Sequence, residues 1–407
     1  MKLTGAQILI ECLAEQSVDT VFGYPGGAVL NIYDELYKNS HRIHHYLTSH
    51  EQGAAHAADG YARATGKTGV CIATSGPGAT NLVTGIATAY LDSVPIVFIT
   101  GNVSVSLIGK DSFQEADITG ITAPITKNNY IVKDVADLAD TLREAFAIAK
   151  EGRPGPVLVD IPKNVTAETT DYEPASPEQL AQSYERTCKC AVSGDEEIYE
   201  LAEMIRTSDK VFLLCGGGVL KSGAAPEVLA LSNALHAPVG TTLMGVGGFP
   251  ASHPNFMGLV GMHGTKAANT GLSGADLLIA LGSRFNDRVT GDASRFGKNA
   301  QIVQIDIDEA EINKNVRTFR SLLGDVKTVL GKLLPLLLLS PESLAAREAW
   351  LGEIQGLKLN GQRVAACDLG PKAVMEAIFE RSPKDTFIVT DVGQHQLWAA
   401  KYYSYDE

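Results

Sequence analysis

Along most of this chain, short runs of consecutive apolar residues alternate with stretches whose apolar positions recur every three or four residues. Val70-Cys71-Ile72-Ala73, Pro95 to Thr100 and Pro156 to Pro162 are runs of the first kind. Apolar on both faces, each suits a parallel strand buried between two helix layers. Val21-Phe22-Gly23-Tyr24 is a shorter run, closed by Pro25-Gly26-Gly27. Thr4-Gly5-Ala6-Gln7 has the form of a capping box, with Ile8, Leu9, Cys12 and Leu13 as an apolar stripe behind it. Met1 to Gln16 therefore reads as folded helix. Val29, Ile32, Tyr33 and Leu36 share one helical face, and Ala136 to Lys150 carries Leu138, Leu142 and Phe146. The alternation predicts an α/β domain with a doubly wound parallel sheet over residues 1–165.

Periodicity lapses from about Val165 to Ala191, where Pro174 and Pro177 stand, and this reads as a linker. A second α/β domain, Rossmann-like, is predicted over residues 190–340. Its strands are Val211 to Cys215, Leu277 to Leu281 and Gln301 to Ile305. A more polar connector runs on to about Asp368. A third unit opens with a helix from Pro371 to Glu380 and a strand from Phe387 to Thr390. Residues 369–407 fall far short of a doubly wound domain of about 100 to 150 residues, so they read as the start of a truncated domain.

Composition narrows the partners. Forty glycines, many just after apolar runs, are the texture of strand–helix turns rather than of a flexible linker. A net charge of −13 argues against nucleic acid or an anionic membrane as the main partner, while leaving room for a phosphorylated cofactor in a local pocket. The six cysteines form no Cys-x-x-Cys pair, which points to neither a zinc site nor a disulfide framework and suits a reducing cytoplasm. The first residues lack the basic start and apolar core of a signal peptide. Leu333 to Leu339, the most apolar run, is far too short to cross a bilayer.

The candidate chemistry sits in loops at strand ends, where doubly wound sheets bind ligands. Ser49 to Arg63 places one carboxylate, Glu51, at the mouth of a helix of small residues. One strand later comes Thr74-Ser75-Gly76-Pro77-Gly78-Ala79-Thr80-Asn81, whose glycines let backbone approach a ligand and whose end opens a helix. No Lys follows in P-loop style. Gly26 and Gly27 form a third such loop, and Gly109 to Asp117 a polar fourth. Taken alone, Glu51 could be a solvated first-turn glutamate and each glycine loop ordinary turn punctuation. Gly216-Gly217-Gly218 follows a strand of the second domain without forming the Gly-x-Gly-x-x-Gly fingerprint. With the Arg284 to Arg288 segment, Asp306 and Asp325, it suits an extended dinucleotide: small residues for the pyrophosphate, Arg for its charge, Asp for hydroxyls.

In this order the motifs resemble those of the thiamine diphosphate enzymes, and in detail the catalytic subunits of the acetolactate synthase (acetohydroxyacid synthase) family. The likeness is most specific at Gly23 to Ala28, His50-Glu51-Gln52-Gly53-Ala54, Thr74 to Asn81, Phe113 to Asp117 and Gly152 to Val157. It continues at Gly261-Met262-His263-Gly264, Arg284-Phe285-Asn286-Asp287-Arg288 and Val392 to Trp398. The resemblance implies a thiamine diphosphate-binding fold followed by a central FAD-binding domain. It implies that Glu51 is the cofactor-activating carboxylate, hydrogen-bonded to the aminopyrimidine ring and substantially buried. Pro77 and Asn81 would border the pyrimidine with Gln114 near it, and Phe113 and Lys163 would line the substrate entry. Arg153, Gly217, Gly218, Thr241, Leu243, Met262, His263, Arg284, Arg288, Asp306 and Asp325 match FAD-contacting positions, and Arg288 also suits the carboxylate of a second keto acid. Val392, Gly393, Gln394 and His395 match the first loop of the pyrophosphate domain.

The implied reaction decarboxylates pyruvate and joins the remaining two-carbon unit to pyruvate or 2-oxobutyrate, toward valine, leucine and isoleucine. A homodimer or homotetramer, a small regulatory subunit and a cytoplasmic location go with it. Asn286 stands where an acidic residue is usual. The Gly-Asp-Gly motif that holds Mg²⁺ in the family is absent: the Gly-Asp pairs at 194–195, 291–292 and 324–325 are not followed by Gly. These residues alone are therefore expected to supply no metal ligands and to be inactive. The alternatives are another thiamine diphosphate carboligase, pyruvate oxidase, or a non-catalytic truncated paralogue that keeps a flavin.

Overall fold

The computed structural model describes residues 1–181, 193–361 and 369–406. The chain divides into two compact units, Met1–Lys189 and Cys190–Glu407.

The first unit is built on six strands: β2 (Thr20–Tyr24), β3 (His44–Leu47), β4 (Gly69–Ala73), β5 (Ile96–Asn102), β6 (Asn128–Ile131) and β7 (Pro156–Pro162). All pair in parallel, in the order β3-β2-β4-β5-β7-β6. The central strands are buried on both faces, as their unbroken apolar runs predict. On one face, Val97 and Ile99 meet the helices Gly5–Glu15, Leu30–Lys38 and Leu138–Lys150. On the other, Ile96 and Phe98 meet the helices Glu51–Thr65 and Val83–Asp92. This is the doubly wound α/β sheet expected.

The helix Glu51–Thr65 sits unusually close to its neighbours. Its buried side is Ala54, Ala55, Ala58 and Ala62. A Cβ added at Gly85 would lie 2.3 Å from the Ala55 Cβ, and one at Gly69 2.5 Å from the Ala58 carbonyl oxygen. Small residues on both partners thus hold the mouth of this helix against the sheet.

The second unit carries β9 (Val211–Cys215), β10 (Val239–Thr241), β11 (Phe256–Leu259), β12 (Leu277–Leu281), β13 (Gln301–Asp306) and β14 (Arg320–Leu323). They too are parallel, in the order β11-β10-β9-β12-β13-β14. Counted within the unit this is 3-2-1-4-5-6, the strand order of dinucleotide-binding Rossmann sheets. Among the described residues, no helix is long and apolar enough to cross a membrane.

Three expectations are corrected. The N-terminal helix begins only at Gly5, because Lys2–Thr4 forms a strand, β1, paired antiparallel with β8 (Thr169–Asp171) inside the expected linker. Glu15 fastens this corner, accepting from Arg143, Tyr172 Oη and the Ala175 N–H.

The polar connector is largely a helix, Pro341–Gly361. Arg347, Trp350, Leu351 and Ile354 recur at helical spacing and are buried in the second unit. Arg347 donates through Nη2 to the carbonyls of Ile205 and Ser208, at the end of the helix Asp195–Thr207, where carbonyls otherwise lack partners.

The strand expected at Phe387 to Thr390 does not form. Among the described residues no strand lies beside it, and Phe387 and Val389 are exposed. Apolar β-formers cannot make a strand without a ladder partner for their backbone. The flanking helices Pro371–Arg381 and Gln394–Tyr402 do form.

Gly85→Val is expected to push the helix Glu51–Thr65 off its seat and lower stability by about 1–3 kcal/mol, read as a shifted urea midpoint at unchanged slope.

Candidate active site

In the first unit the strand order reverses between β2 and β4, and at such a point the loops leaving two neighbouring strands part and open a crevice. The β2 loop brings Gly26 and Gly27, the β4 loop Thr74 to Gly78. Glu51 begins the helix that returns the chain from β3 to β4. His50 caps that helix, its Nδ1 accepting from the Gln52 N–H at 3.1 Å.

Glu51 is 8 % exposed, so its carboxyl is set in the protein and not in bulk water. Asn81 Nδ2 donates to Glu51 Oε2 at 2.9 Å. The other oxygen, Oε1, faces Gly78, where an added Cβ would lie 3.2 Å from it and 2.7 Å from Thr74 Cγ2. Thr74 joins the loops: its Oγ1 accepts from the Ala28 N–H at 3.3 Å, and a Cβ at Gly26 would come within 2.4 Å of its methyl group. At Gly76, φ is +60° and an added Cβ would meet the Gln114 carbonyl oxygen at 2.6 Å. The absence of side chains at these glycines lets the loops pack directly against one another beside Glu51. Gln114 itself takes a φ of +58°, a conformation uncommon outside glycine that is held only where surroundings enforce it.

The structure thus brings Gly26, Thr74, Gly76, Gly78, Glu51, Asn81 and Gln114 together. Pro77 is exposed as the first residue of the short helix Pro77–Thr80, and nothing crowds Gly27. Phe113, 87 % exposed, neighbours Gln114, and Lys163 is exposed just past the end of β7 on the same carboxyl edge of the sheet. Arg153 lies at the opposite edge, ahead of β7, where its Nε donates to Ser93 Oγ at 2.7 Å. It is not brought to this crevice.

One group escaped the sequence analysis. Asp160 interrupts the otherwise apolar β7 and is 1 % exposed. It accepts from Thr100 Oγ1 at 2.6 Å and from Asn102 Nδ2 at 2.5 Å. Burial pushes its carboxyl up to about 7; the two donors act against this, and the Asp117 charge adds to it. The signal was present as a lone acid in a strand buried on both faces.

The second unit repeats the arrangement at its own reversal, between β9 and β12. Cβ atoms added at Gly216 and Gly218 would lie 2.1 Å from the Gly282 carbonyl oxygen and 2.6 Å from the Gly282 Cα. Gly217 faces Met244. Around this contact, the carboxyl ends of the other five strands carry the remaining candidates. Thr241 ends β10 fully buried, and its Oγ1 has no hydrogen-bond partner among the described residues. Leu243 follows, partly exposed. Met262 and His263 are exposed after β11, and the Met262 N–H donates to the Arg288 carbonyl at 2.9 Å. Arg284 and Arg288 follow β12, Arg288 exposed and reaching Met262 Sδ at 3.9 Å.

Asp306 ends β13, 6 % exposed, and accepts from the Asp308 N–H at 3.1 Å. Asp325 follows β14 as the cap of Val326–Leu333, accepting from the Thr328 N–H at 3.0 Å. Asn286 caps Asp287–Thr290 through the Arg288 N–H at 2.9 Å, work that Asn and Asp do equally well. Gln394 and His395 open the helix Gln394–Tyr402, preceded by Gly393 and by Val392, which is exposed.

The first unit thus sets a buried carboxyl at a strand reversal, and the second sets glycines and arginines at another. Residues 3–121 match the family model "Thiamine pyrophosphate enzyme, N-terminal TPP binding domain", and residues 198–333 match "Thiamine pyrophosphate enzyme, central domain". Fold and site therefore define a thiamine pyrophosphate (diphosphate) enzyme.

The chain is 47 % identical to a probable acetolactate synthase large subunit of Methanocaldococcus jannaschii, over 98 % of this chain and 68 % of the relative. It is 46 % identical to the acetolactate synthase large subunit of Cyanidium caldarium, over 98 % of this chain and 69 % of the relative. With that of Corynebacterium glutamicum it shares 45 % identity, over 100 % of this chain and 65 % of the relative. The chain belongs to the acetolactate synthase large-subunit family, and it spans about two thirds of the length of these relatives.

Asp160 predicts a pH effect on stability. Its folded form keeps a proton up to about pH 7, whereas an unfolded aspartate loses it near 3.8. Its contribution is therefore fully present below about pH 4 and is lost as pH rises through 7, a difference of roughly 4 kcal/mol. Asp160→Asn cannot lose that proton, so its urea midpoint should fall less than the wild type's between pH 5 and pH 8.

Proposed function

We propose that this chain carries the pyrimidine-binding and flavin-binding parts of an acetolactate synthase. The reaction converts two pyruvates to 2-acetolactate and carbon dioxide, or pyruvate and 2-oxobutyrate to 2-aceto-2-hydroxybutyrate and carbon dioxide, in branched-chain amino acid biosynthesis. The observation that carries this reading is the buried Glu51 carboxyl, held by Asn81 where glycine loops from two strand ends pack closely beside it.

Thiamine diphosphate, when bound, supplies the electron sink that lets a 2-keto acid lose its carboxylate. Glu51 would hold the aminopyrimidine ring through Oε1, while Asn81 donates to Oε2 and so orients the carboxyl. Gly26, Gly76 and Gly78 let the loops close on one another beside the place the ring would take. Gln114 stands beside Gly76, and Phe113 and Lys163 line the approach of the keto acid. Exclusion of water around Glu51 strengthens each of these contacts.

In the second unit, Gly217 and Gly218 would face the pyrophosphate of FAD with backbone at the strand reversal, and Thr241 offers a buried hydroxyl that still has a bond to make. Arg284 and Arg288 supply charge, and Met262, His263, Leu243, Asp306 and Asp325 the rest of the edge. The flavin serves structure rather than net redox chemistry. Arg153 belongs to the same set by resemblance. Residues 369–407 open a pyrophosphate-binding domain, with Val392, Gly393, Gln394 and His395 near the diphosphate. Mg²⁺ would neutralise the charge of that diphosphate, and the Gly-Asp-Gly motif that holds it in the family is not among these 407 residues. The enzyme works in the cytoplasm as a homodimer or homotetramer, with a small regulatory subunit as a further partner.

The full-length protein that contains this chain, supplied with pyruvate, thiamine diphosphate, Mg²⁺ and FAD, is expected to form acetolactate without hydrogen peroxide. Peroxide in place of acetolactate would mark an oxidase. Glu51→Gln should lower kcat by at least ~100-fold, and full turnover in that variant would remove the basis of the assignment.

A further inference from the structure

Asp160 takes no part in the chemistry just described, yet a buried carboxylate is costly to keep. Register explains its company. Thr100 and Asp160 are neighbours across β5 and β7, and Asn102 lies two residues further along the same face. Both Asp160 oxygens act as acceptors here, Oδ1 from Thr100 and Oδ2 from Asn102. Asn102 therefore turns its amide nitrogen toward Asp160 at 2.5 Å, and its Oδ1 is left to accept from the Val103 N–H at 2.7 Å. Asp160 in this way decides which end of the Asn102 amide meets the chain as it leaves β5.

The segment that leaves there, residues 103–117, carries Phe113 and Gln114. Its shape is internal. Glu115 accepts from the N–H groups of Gly109 and Ser112, and Gly109, Asp111 and Gln114 turn the chain with φ of +77°, +52° and +58°. Beyond Asn102, the near foot is held by Asn164 Oδ1, which accepts from the Val105 N–H at 2.8 Å. At the far foot, Asp117 caps Ile118–Thr122 through the Gly120 N–H at 2.9 Å. A segment with its own internal ties shifts as a body about its feet. We propose that Asp160 is a positioning residue: acting through Asn102, it fixes the take-off of segment 103–117 and thereby the place of Phe113 and Gln114 beside the Glu51 crevice. The catalytic consequence rests on the proposed function; the anchoring does not.

The test uses the full-length protein with thiamine diphosphate, Mg²⁺ and FAD bound. Lys110 is exposed within the segment and is a trypsin site, and Lys67, exposed just beyond the helix Glu51–Thr65, serves as the internal reference. Asp160→Ala and Asn102→Ala should each raise cleavage after Lys110 about tenfold relative to cleavage after Lys67, the scale of one lost charge-assisted hydrogen bond. Both should raise the KM for pyruvate by a larger factor than they lower kcat. Asp160→Asn, which can still turn an oxygen to Asn102, should recover most of the protection. Equal acceleration at both lysines, unchanged cleavage after Lys110, unmoved kinetics, or no rescue by Asp160→Asn would each overturn the proposal. If Asp160→Ala does not fold, Asn102→Ala carries the same readouts. A loosened segment in these variants, together with full turnover by Glu51→Gln, would sink the proposed function and leave the anchoring intact.

Discussion

A carboxyl group can stay out of water only if the protein meets its hydrogen-bonding needs, and a ligand can reach it only if the protein leaves a space. At Glu51 these demands pull against each other, and the first unit is arranged to satisfy both. Asn81 provides the bond. Glycines at 26, 76 and 78 let the loops beside it pack closely, because each sits where a Cβ would strike Thr74, Gln114 or Glu51. The alanine side of the helix behind Glu51 serves the same end, since it lets that helix lie close enough to the sheet for its first residue to be covered. Substrate chemistry, helix packing and loop composition are consequences of one steric requirement.

The second unit meets an analogous requirement with a different sheet. Its strand order reverses between β9 and β12, and the loops leaving those strands touch through glycine backbone alone. The buried Thr241 hydroxyl without a partner sits at the same edge as the arginines that follow β12. In both units the candidate site residues lie at carboxyl ends of strands or in the loops that follow them, so the rigid part of the fold carries their positions.

Much of this could be read from residue order. Pro156–Pro162, Val211–Cys215 and Leu277–Leu281 are strands over the spans their apolar runs predict, because a strand buried on both faces leaves an unbroken local signal. The Glu51 crevice was legible for a similar reason: its glycines and its acid fall in two short motifs. What depended on distant partners was not. β1 needed Thr169–Asp171 to pair with. The residues Phe387 to Thr390 had strand composition but no neighbour. In the helix Pro341–Gly361 the apolar stripe is shared with a buried arginine, so its polar average hid its buried face. Asp160 makes sense only once β5 and β7 are in register.

That arginine also sets where the second unit can be cut. Arg347 closes the end of Asp195–Thr207 from a helix almost 140 residues further along, and Trp350, Leu351 and Ile354 seal the same side of the sheet. A gene fragment stopped at residue 340, where the Rossmann strands have all been made, would take the Arg347 donor from the Ile205 and Ser208 carbonyls and bare an apolar flank together. The smallest independently expressible piece is therefore defined by an appendage outside the sheet, and dissection of related enzymes by strand count alone would discard it.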